Sequence, residues 1–261
     1  MSEAIIIVDI GNTDTIIGVS RNKCFSGVLR IPTKGQKSSS IATAHQRVIR
    51  RYRIKDAALC SVVPALNKLW MKQLQHISGE KPLLINFSLK LGLGIDYPSP
   101  ASIGPDRLAN ASAAAYMYGA PVIVADFGTA LTFDVVSKQN TYIGGIIAPG
   151  LGLVTDYMAE RTALLPEFSF KTYQARSSHG RKLTLPGKST KEAMLLGARY
   201  GYLGIVREIF TRLQKNLKAT KLHLCATGGY ASWVLSKTDI PVFIEPNLTL
   251  YGINRIYELN R

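Results

Sequence analysis

Asp9-Ile10-Gly11-Asn12-Thr13 and Asp126-Phe127-Gly128-Thr129 repeat one short pattern: aspartate, apolar residue, glycine, polar side chain. Glycine lets backbone N–H groups approach a phosphate closely, and the adjacent Asn or Thr adds a donor. A carboxylate repels phosphate, so the aspartates suit oxygen-ligated cations: Mg2+ or its water shell at Asp9, a second cation at Asp126. The alternative is that each aspartate only hydrogen-bonds its own turn. Gly104-Pro105-Asp106-Arg107 precedes an alanine-rich stretch, which puts Asp106 in position to cap a helix. The same carboxylate could act as general base on a substrate hydroxyl in phosphoryl transfer, with the planar fork of Arg107 holding a substrate carboxylate. Thr227-Gly228-Gly229 is either an ordinary turn or a surface without Cβ atoms on which a flat base can lie.

The elements that must position these groups follow from the pattern around them. Ile5 to Val8 is a continuous β-branched run, and Ile16 to Val19 returns as a second strand after the first turn. Val122 to Ala125 and Leu131 to Val136 flank the second turn in the same way, with Asp126 in register with Asp9 and Gly128 with Gly11. Two copies in register predict a duplicated α/β domain. Ser40 to Arg51, Leu66 to Ile77 and Arg107 to Tyr118 read as helices; Ala57 to Val63, Lys81 to Phe87 and Leu222 to Ala226 read as strands. Tyr142 to Gly150 reads as a strand running into a glycine-proline loop, and residues 173–189 as a basic polar loop. Ser189 with Glu192 forms a capping-box signature for a long helix reaching about Lys215. Gly197, Gly201 and Gly204 lie along one side of that helix and permit close contact, with a second subunit or within the domain.

Composition narrows the class. The 261 residues suit one large domain or two medium ones, and the 46% that are hydrophobic suffice to bury a full core. No apolar run approaches a membrane span, and the first apolar run meets Asp9 too early for a secretory signal. The three cysteines (Cys24, Cys60, Cys225) show no CxxC spacing, as expected of thiols in a reducing compartment, and the four histidines form no zinc pattern. The formal charge of +15 is concentrated in residues 21–90 and 161–261. It fits either an anionic partner such as nucleic acid or a solvated basic surface. The latter is favoured because no RNA- or DNA-binding signature appears, and an exposed helix face accounts for the Arg47, Arg50, Arg51, Arg53 and Lys55 cluster.

Taken together, Asp9 to Thr13, Gly104-x-Asp106-Arg107, Asp126 to Ala130, Gly144-Gly145-x-Ile147-x-Pro149-Gly150 and Ala226 to Gly229 resemble the type III pantothenate kinases, in order and spacing across nearly the whole chain. The resemblance implies an α/β fold of duplicated actin-like (ribonuclease H-like) domains, 1–118 and 119–261, with a cleft between them. It implies phosphorylation of pantothenate by ATP, the first step of coenzyme A synthesis, in a cytoplasmic homodimer that needs Mg2+ and a monovalent cation, K+ or NH4+. By the same resemblance Asp106 is the catalytic base. Tyr97, Gly104, Pro105, Arg107 and Thr190 contact pantothenate. Asp9, Ile10, Gly11, Asn12, Thr13, Asp14, Thr15 and Thr129 contact ATP, Asp126 ligates the monovalent cation, and Asp9 serves Mg2+, directly or through water. Two departures stand out: Pro105 replaces an expected alanine, and Asp14 an expected asparagine, which adds negative charge near the phosphates. The competing readings are a kinase of this fold for another small hydroxylated acceptor, and a non-catalytic regulatory or nucleic-acid-binding relative.

Overall fold

The computed structural model describes residues 2–21, 24–49, 52–162, 164–166, 184–219, 221–236 and 238–261. Residues 173–183 of the basic loop, Arg50, Arg51 and the Arg47 side chain lie outside the described residues.

Strand β1 (Ser2–Ile10) pairs antiparallel with β2 (Asp14–Arg21), Ile10 facing Thr15 across the first Asp-x-Gly turn. It pairs in parallel with β4 (Tyr52–Ser61) on its other side. With β3 (Cys24–Pro32) and β5 (Leu83–Leu84) these strands form a sheet of order β3-β2-β1-β4-β5. Ile6, Ile7, Val8 and Ile10 have no exposed surface, and a strand covered on both faces reads as a continuous apolar run rather than an alternating one. Helices α1 (Ser38–Ile49) and α2 (Pro64–Ser78) contribute Ile41, Trp70 and Leu74 to the same core.

The second sheet holds β6 (Gly94–Ile95), β7 (Val122–Phe127), β8 (Ala130–Val136), β9 (Thr141–Pro149), β10 (His223–Thr227) and β11 (Phe243–Ile244), in the order β11-β10-β7-β8-β9-β6. The remaining helices are α3 (Pro105–Tyr118), α4 (Leu151–Arg161), α5 (Thr190–Leu217), α6 (Ala231–Leu235) and α7 (Leu248–Asn260); α3 and α7 pack against each other and on β4 of the first sheet. The fold is α/β with two sheets, each carrying one strand–Asp-x-Gly–strand turn, as expected of duplicated actin-like domains. Among the described residues no helix is long and apolar enough to cross a membrane.

The chain divides into two compact units: Met1–Val122, Val135–Gly144 and Asn247–Arg261 form one, and Ile123–Asp134 and Gly145–Pro246 the other. The first unit thus includes the C-terminal helix. There Gly252 of α7 lies against α3, so closely that a Cβ would collide with the Ala109 carbonyl. Two local features differ from the sequence reading, and two elements, β3 and α4, went unread in it. Helix α3 starts at Pro105 with Gly104 as its N-cap, so Asp106 is the second helical residue and not the cap. Proline's fixed φ suits a first helical position, where no N–H is needed. The strand read over Lys81 to Phe87 is two residues long. Asn86 ends it by donating to the Leu84 carbonyl (3.1 Å) and accepting from the Ser88 N–H (2.9 Å). Strand β3, mostly exposed or half-buried, shows no apolar alternation, and α4 follows the glycine-proline loop directly.

Candidate active site

In the first unit, the parallel register of β1 and β4 sets Asp9 beside Cys60. Cys60 is completely buried, and its thiol is pushed well above the ordinary value. Burial is the main cause, followed by the carboxylates of Asp9 and Asp106; Asp9 also accepts the thiol's hydrogen bond. One sulfur therefore feels both acids, which brings the first Asp-x-Gly turn and the start of α3 into one neighbourhood.

Asp106 is half-buried. Its Oδ1 accepts the Arg107 N–H at 2.8 Å and lies against Gly104, where a Cβ would collide with it. Burial raises its pKa above the ordinary 3.8, while the Arg107 N–H and guanidinium pull partly the other way. A carboxylate held at a helix N-terminus yet raised in pKa is suited to accept a proton from an alcohol.

The loop Gly11–Thr15 is closed by the Gly11 N–H donating to the Asp14 carbonyl at 3.0 Å. Asn12 and Thr13 are exposed. Ile10 and Thr15 have no exposed surface, so neither side chain is presented to a ligand. Asp14 accepts a hydrogen bond from Arg30 Nη1 at 3.0 Å, which neutralises the extra charge read at that position. Tyr97 is partly exposed (36%) and stands edge-on to Tyr142 with ring centroids 6.2 Å apart. A Cβ at Gly144 would sit 3.7 Å from its ring.

The second unit gathers three glycine segments around Asp126. Gly128 N–H donates to the Ala130 carbonyl at 3.1 Å and closes the turn. Gly150, at the end of β9, lies so close that a Cβ would collide with the Thr129 carbonyl. Gly228, after β10, has φ +93°, and a Cβ there would stand 2.6 Å from both Asp126 Oδ1 and the Phe127 nitrogen. Thus Thr227-Gly228-Gly229 reaches the second Asp-x-Gly turn. Thr129 is exposed beside it.

Thr190 is the first residue of α5. Ser189 caps that helix by accepting the Glu192 N–H at 3.2 Å, and Glu192 accepts the Lys188 N–H at 2.9 Å. Thr190 also lines an apolar cavity of about 400 Å³ with Leu151, Met158, Met194, Gly197 and Gly201. Sequence reading identified Asp9, Asp106, Asp126 and the glycines. It did not identify Cys60, Arg30, Thr33 or Gln36; the one available signal was the position of Cys60 at the carboxyl end of a strand, where α/β sheets place ligands.

Among the described residues no group of three or more acidic, His or Cys side chains could cage a metal. The half-buried Asp9 carboxylate fits Mg2+, which keeps most of its waters and takes further oxygens from phosphate.

Residues 5–212 match the family model described as type III pantothenate kinase. The type III pantothenate kinase of Methylacidiphilum infernorum is 37% identical over 97% of this chain and 88% of its own length. That of Moorella thermoacetica is 33% identical over 98% and 99%. Two solved structures share the fold. A conserved putative Baf family transcriptional activator from Campylobacter jejuni has TM-score 0.57, 16% identity and 97% coverage of each chain. A ROK family glucokinase from Streptomyces griseus, in complex with glucose and AMPPNP, has TM-score 0.51 and 13% identity over 97% of this chain and 98% of its own.

Proposed function

The chain belongs to the type III pantothenate kinase family, and on that premise we propose how its own residues phosphorylate pantothenate with ATP to give 4'-phosphopantothenate, the first step of coenzyme A synthesis. The observation that carries the assignment is the convergence of Asp9 and Asp106 on the single buried thiol of Cys60.

Asp106 is the general base. It takes the proton of the pantothenate primary hydroxyl as that oxygen attacks the γ-phosphorus of ATP; the bond from phosphorus to the β,γ-bridging oxygen breaks and ADP leaves. Its raised pKa gives the ionised form affinity for that proton. Gly104 leaves room for the carboxylate, Pro105 pre-sets the first helical turn, and the Arg107 guanidinium faces the pantothenate carboxylate. Tyr97 in the first unit and Thr190 in the second are each assigned to pantothenate on the family's pattern. The Asn12 and Asp14 amides and the exposed Asn12 and Thr13 side chains hold the phosphates, while Ile10 and Thr15 support that loop from inside; Thr129, exposed in the second unit, is assigned to ATP on the family's pattern. Asp9 would hold a divalent cation brought in with ATP, directly or through water, and that ion would supply charge neutralisation at the transferring phosphoryl group.

Asp126 takes the monovalent cation, K+ or NH4+: it is a half-buried carboxylate at a strand end, enclosed by the glycine turns of its own unit. We read residues 1–118 and 119–261 as the two duplicated halves, because the Asp-x-Gly turns repeat in register. A homodimer is proposed from α5, where Cβ atoms at Gly197, Gly201 and Gly204 would meet nothing within 4 Å. The proposed compartment is the cytoplasm, which suits thiols rather than disulfides at Cys24, Cys60 and Cys225.

The test is mass detection of 4'-phosphopantothenate from ATP and pantothenate, in K+ and in Na+ buffers. Product formed by wild type and nearly lost in Asp106→Asn supports the assignment. Unchanged turnover in Asp106→Asn removes Asp106 from the mechanism, and equal rates in Na+ alone remove the role given to Asp126.

A further inference from the structure

Behind the Gly11–Thr15 loop runs a chain of side-chain hydrogen bonds that no motif marks. Trp70 Nε1 donates to Gln36 Oε1 at 2.8 Å. Gln36 Nε2 donates to Thr15 Oγ1 and to the Pro32 carbonyl, each at 2.9 Å. The Thr15 and Thr33 hydroxyls are 2.9 Å apart, and Thr33 Oγ1 donates to the Gly11 carbonyl at 2.7 Å. The Thr33 N–H donates to the Thr13 carbonyl at 2.9 Å.

Counting protons gives the chain one direction. The indole can only donate, so the Gln36 oxygen faces it, and the Gln36 amide must then donate to Thr15. A carbonyl can only accept, so the single Thr33 hydroxyl proton goes to Gly11. Thr15 therefore gives its own proton to Thr33. Trp70, Thr15 and Thr33 are buried and Gln36 is half-buried, so the Thr15–Thr33 bond is made away from water and the others are partly shielded, where aligned hydrogen bonds reinforce one another.

The consequence lies in the loop backbone. In a trans peptide the C=O and the following N–H point opposite ways. Thr33 draws the Gly11 and Thr13 carbonyls inward, which turns the Asn12 and Asp14 N–H groups outward, on the side where Asn12 and Thr13 are exposed. We propose that Thr33, backed by Gln36 and Trp70, is a positioning residue that aims the Asn12 and Asp14 amides at the phosphates of ATP before ATP binds. The inference rests on the reading that this hairpin holds those phosphates.

The experiment measures KM for ATP, KM for pantothenate and kcat in Thr33→Val, Thr33→Ser, Trp70→Phe and Asn12→Asp. Thr33→Val keeps the shape and removes the hydroxyl; KM for ATP rises about tenfold, the worth of one hydrogen bond, with KM for pantothenate near wild type. Thr33→Ser restores KM for ATP. Trp70→Phe, which keeps a buried ring but removes the donor, shifts KM for ATP the same way by less, and serves alone if Thr33→Val fails to fold. Asn12→Asp places a carboxylate on the exposed loop and raises KM for ATP if phosphates bind there. An unchanged KM for ATP in Asn12→Asp overturns the hairpin reading itself. A rise in Asn12→Asp with none in Thr33→Val or Trp70→Phe, or equal losses in both KM values without rescue by Ser, overturns only the positioning role.

Discussion

The Asp106 carboxylate folds back over Gly104, whose missing side chain leaves the space that Oδ1 occupies. A carboxylate restrained this way cannot swing freely, and its burial raises its pKa. Asp106→Asn is expected to lower kcat by about 10²–10⁴-fold, the usual contribution of a positioned base. Gly104→Ala, which displaces the same carboxylate, should lower kcat in the same direction. Steady-state kinetics on both variants checks this.

The pH dependence has a definite sign. In the proposed mechanism Asp106 acts ionised, and its folded pKa lies above the ordinary 3.8, so kcat/KM is expected to fall on acidification through a value higher than 3.8. Stability moves the other way. A folded-state pKa raised above the unfolded value means the ionised form destabilises the fold at pH above that pKa, and the penalty fades as pH falls. Asp106→Asn should therefore melt higher than wild type near neutral pH, with the difference vanishing below the ordinary Asp value. Thermal denaturation across pH reads this directly.

Asp14 and Arg30 form a pair whose side chains are 24% and 52% exposed, so breaking it costs stability by no more than about 1 kcal/mol. Its effect should appear in nucleotide binding instead. Arg30→Ala leaves the Asp14 charge uncompensated beside the phosphate loop and raises KM for ATP. Adding Asp14→Asn to Arg30→Ala returns it toward wild type. A double-mutant cycle on KM for ATP measures the coupling.

Thiol chemistry should separate the three cysteines. Cys24 is exposed, Cys60 and Cys225 are buried, and the Cys60 thiolate is further disfavoured by burial and by Asp9 and Asp106. Native protein is expected to give one rapidly titrated thiol, and denatured protein three. Peptide mapping after brief alkylation should find the label at Cys24.

Gly228→Ala combines a positive φ with contacts of 2.6 Å to Asp126 and Phe127. It should destabilise the fold by about 1–3 kcal/mol and reduce activation by K+. Denaturant unfolding and a K+ titration of activity check the two effects separately.

The sequence alone determined what depends on neighbours along the chain. The β-branched run ending at Asp9, its repeat ending at Asp126, and the Ser189 cap with Glu192 are short-range patterns, and each appears where the residue order puts it. Chemistry-bearing residue types were legible for the same reason: glycine and aspartate in a turn are chosen for local backbone geometry and charge. Register and proximity were decided only by the tertiary structure. Nothing in the order of residues places Cys60 beside both acids, sets Arg30 against Asp14, or brings Gly228 onto Asp126. Those contacts join residues far apart in the chain, and strand pairing and core packing select their partners. The Trp70–Gln36–Thr15–Thr33 chain was hidden for the same reason: its members are common polar and aromatic residues until the fold sets them within hydrogen-bond distance of one another.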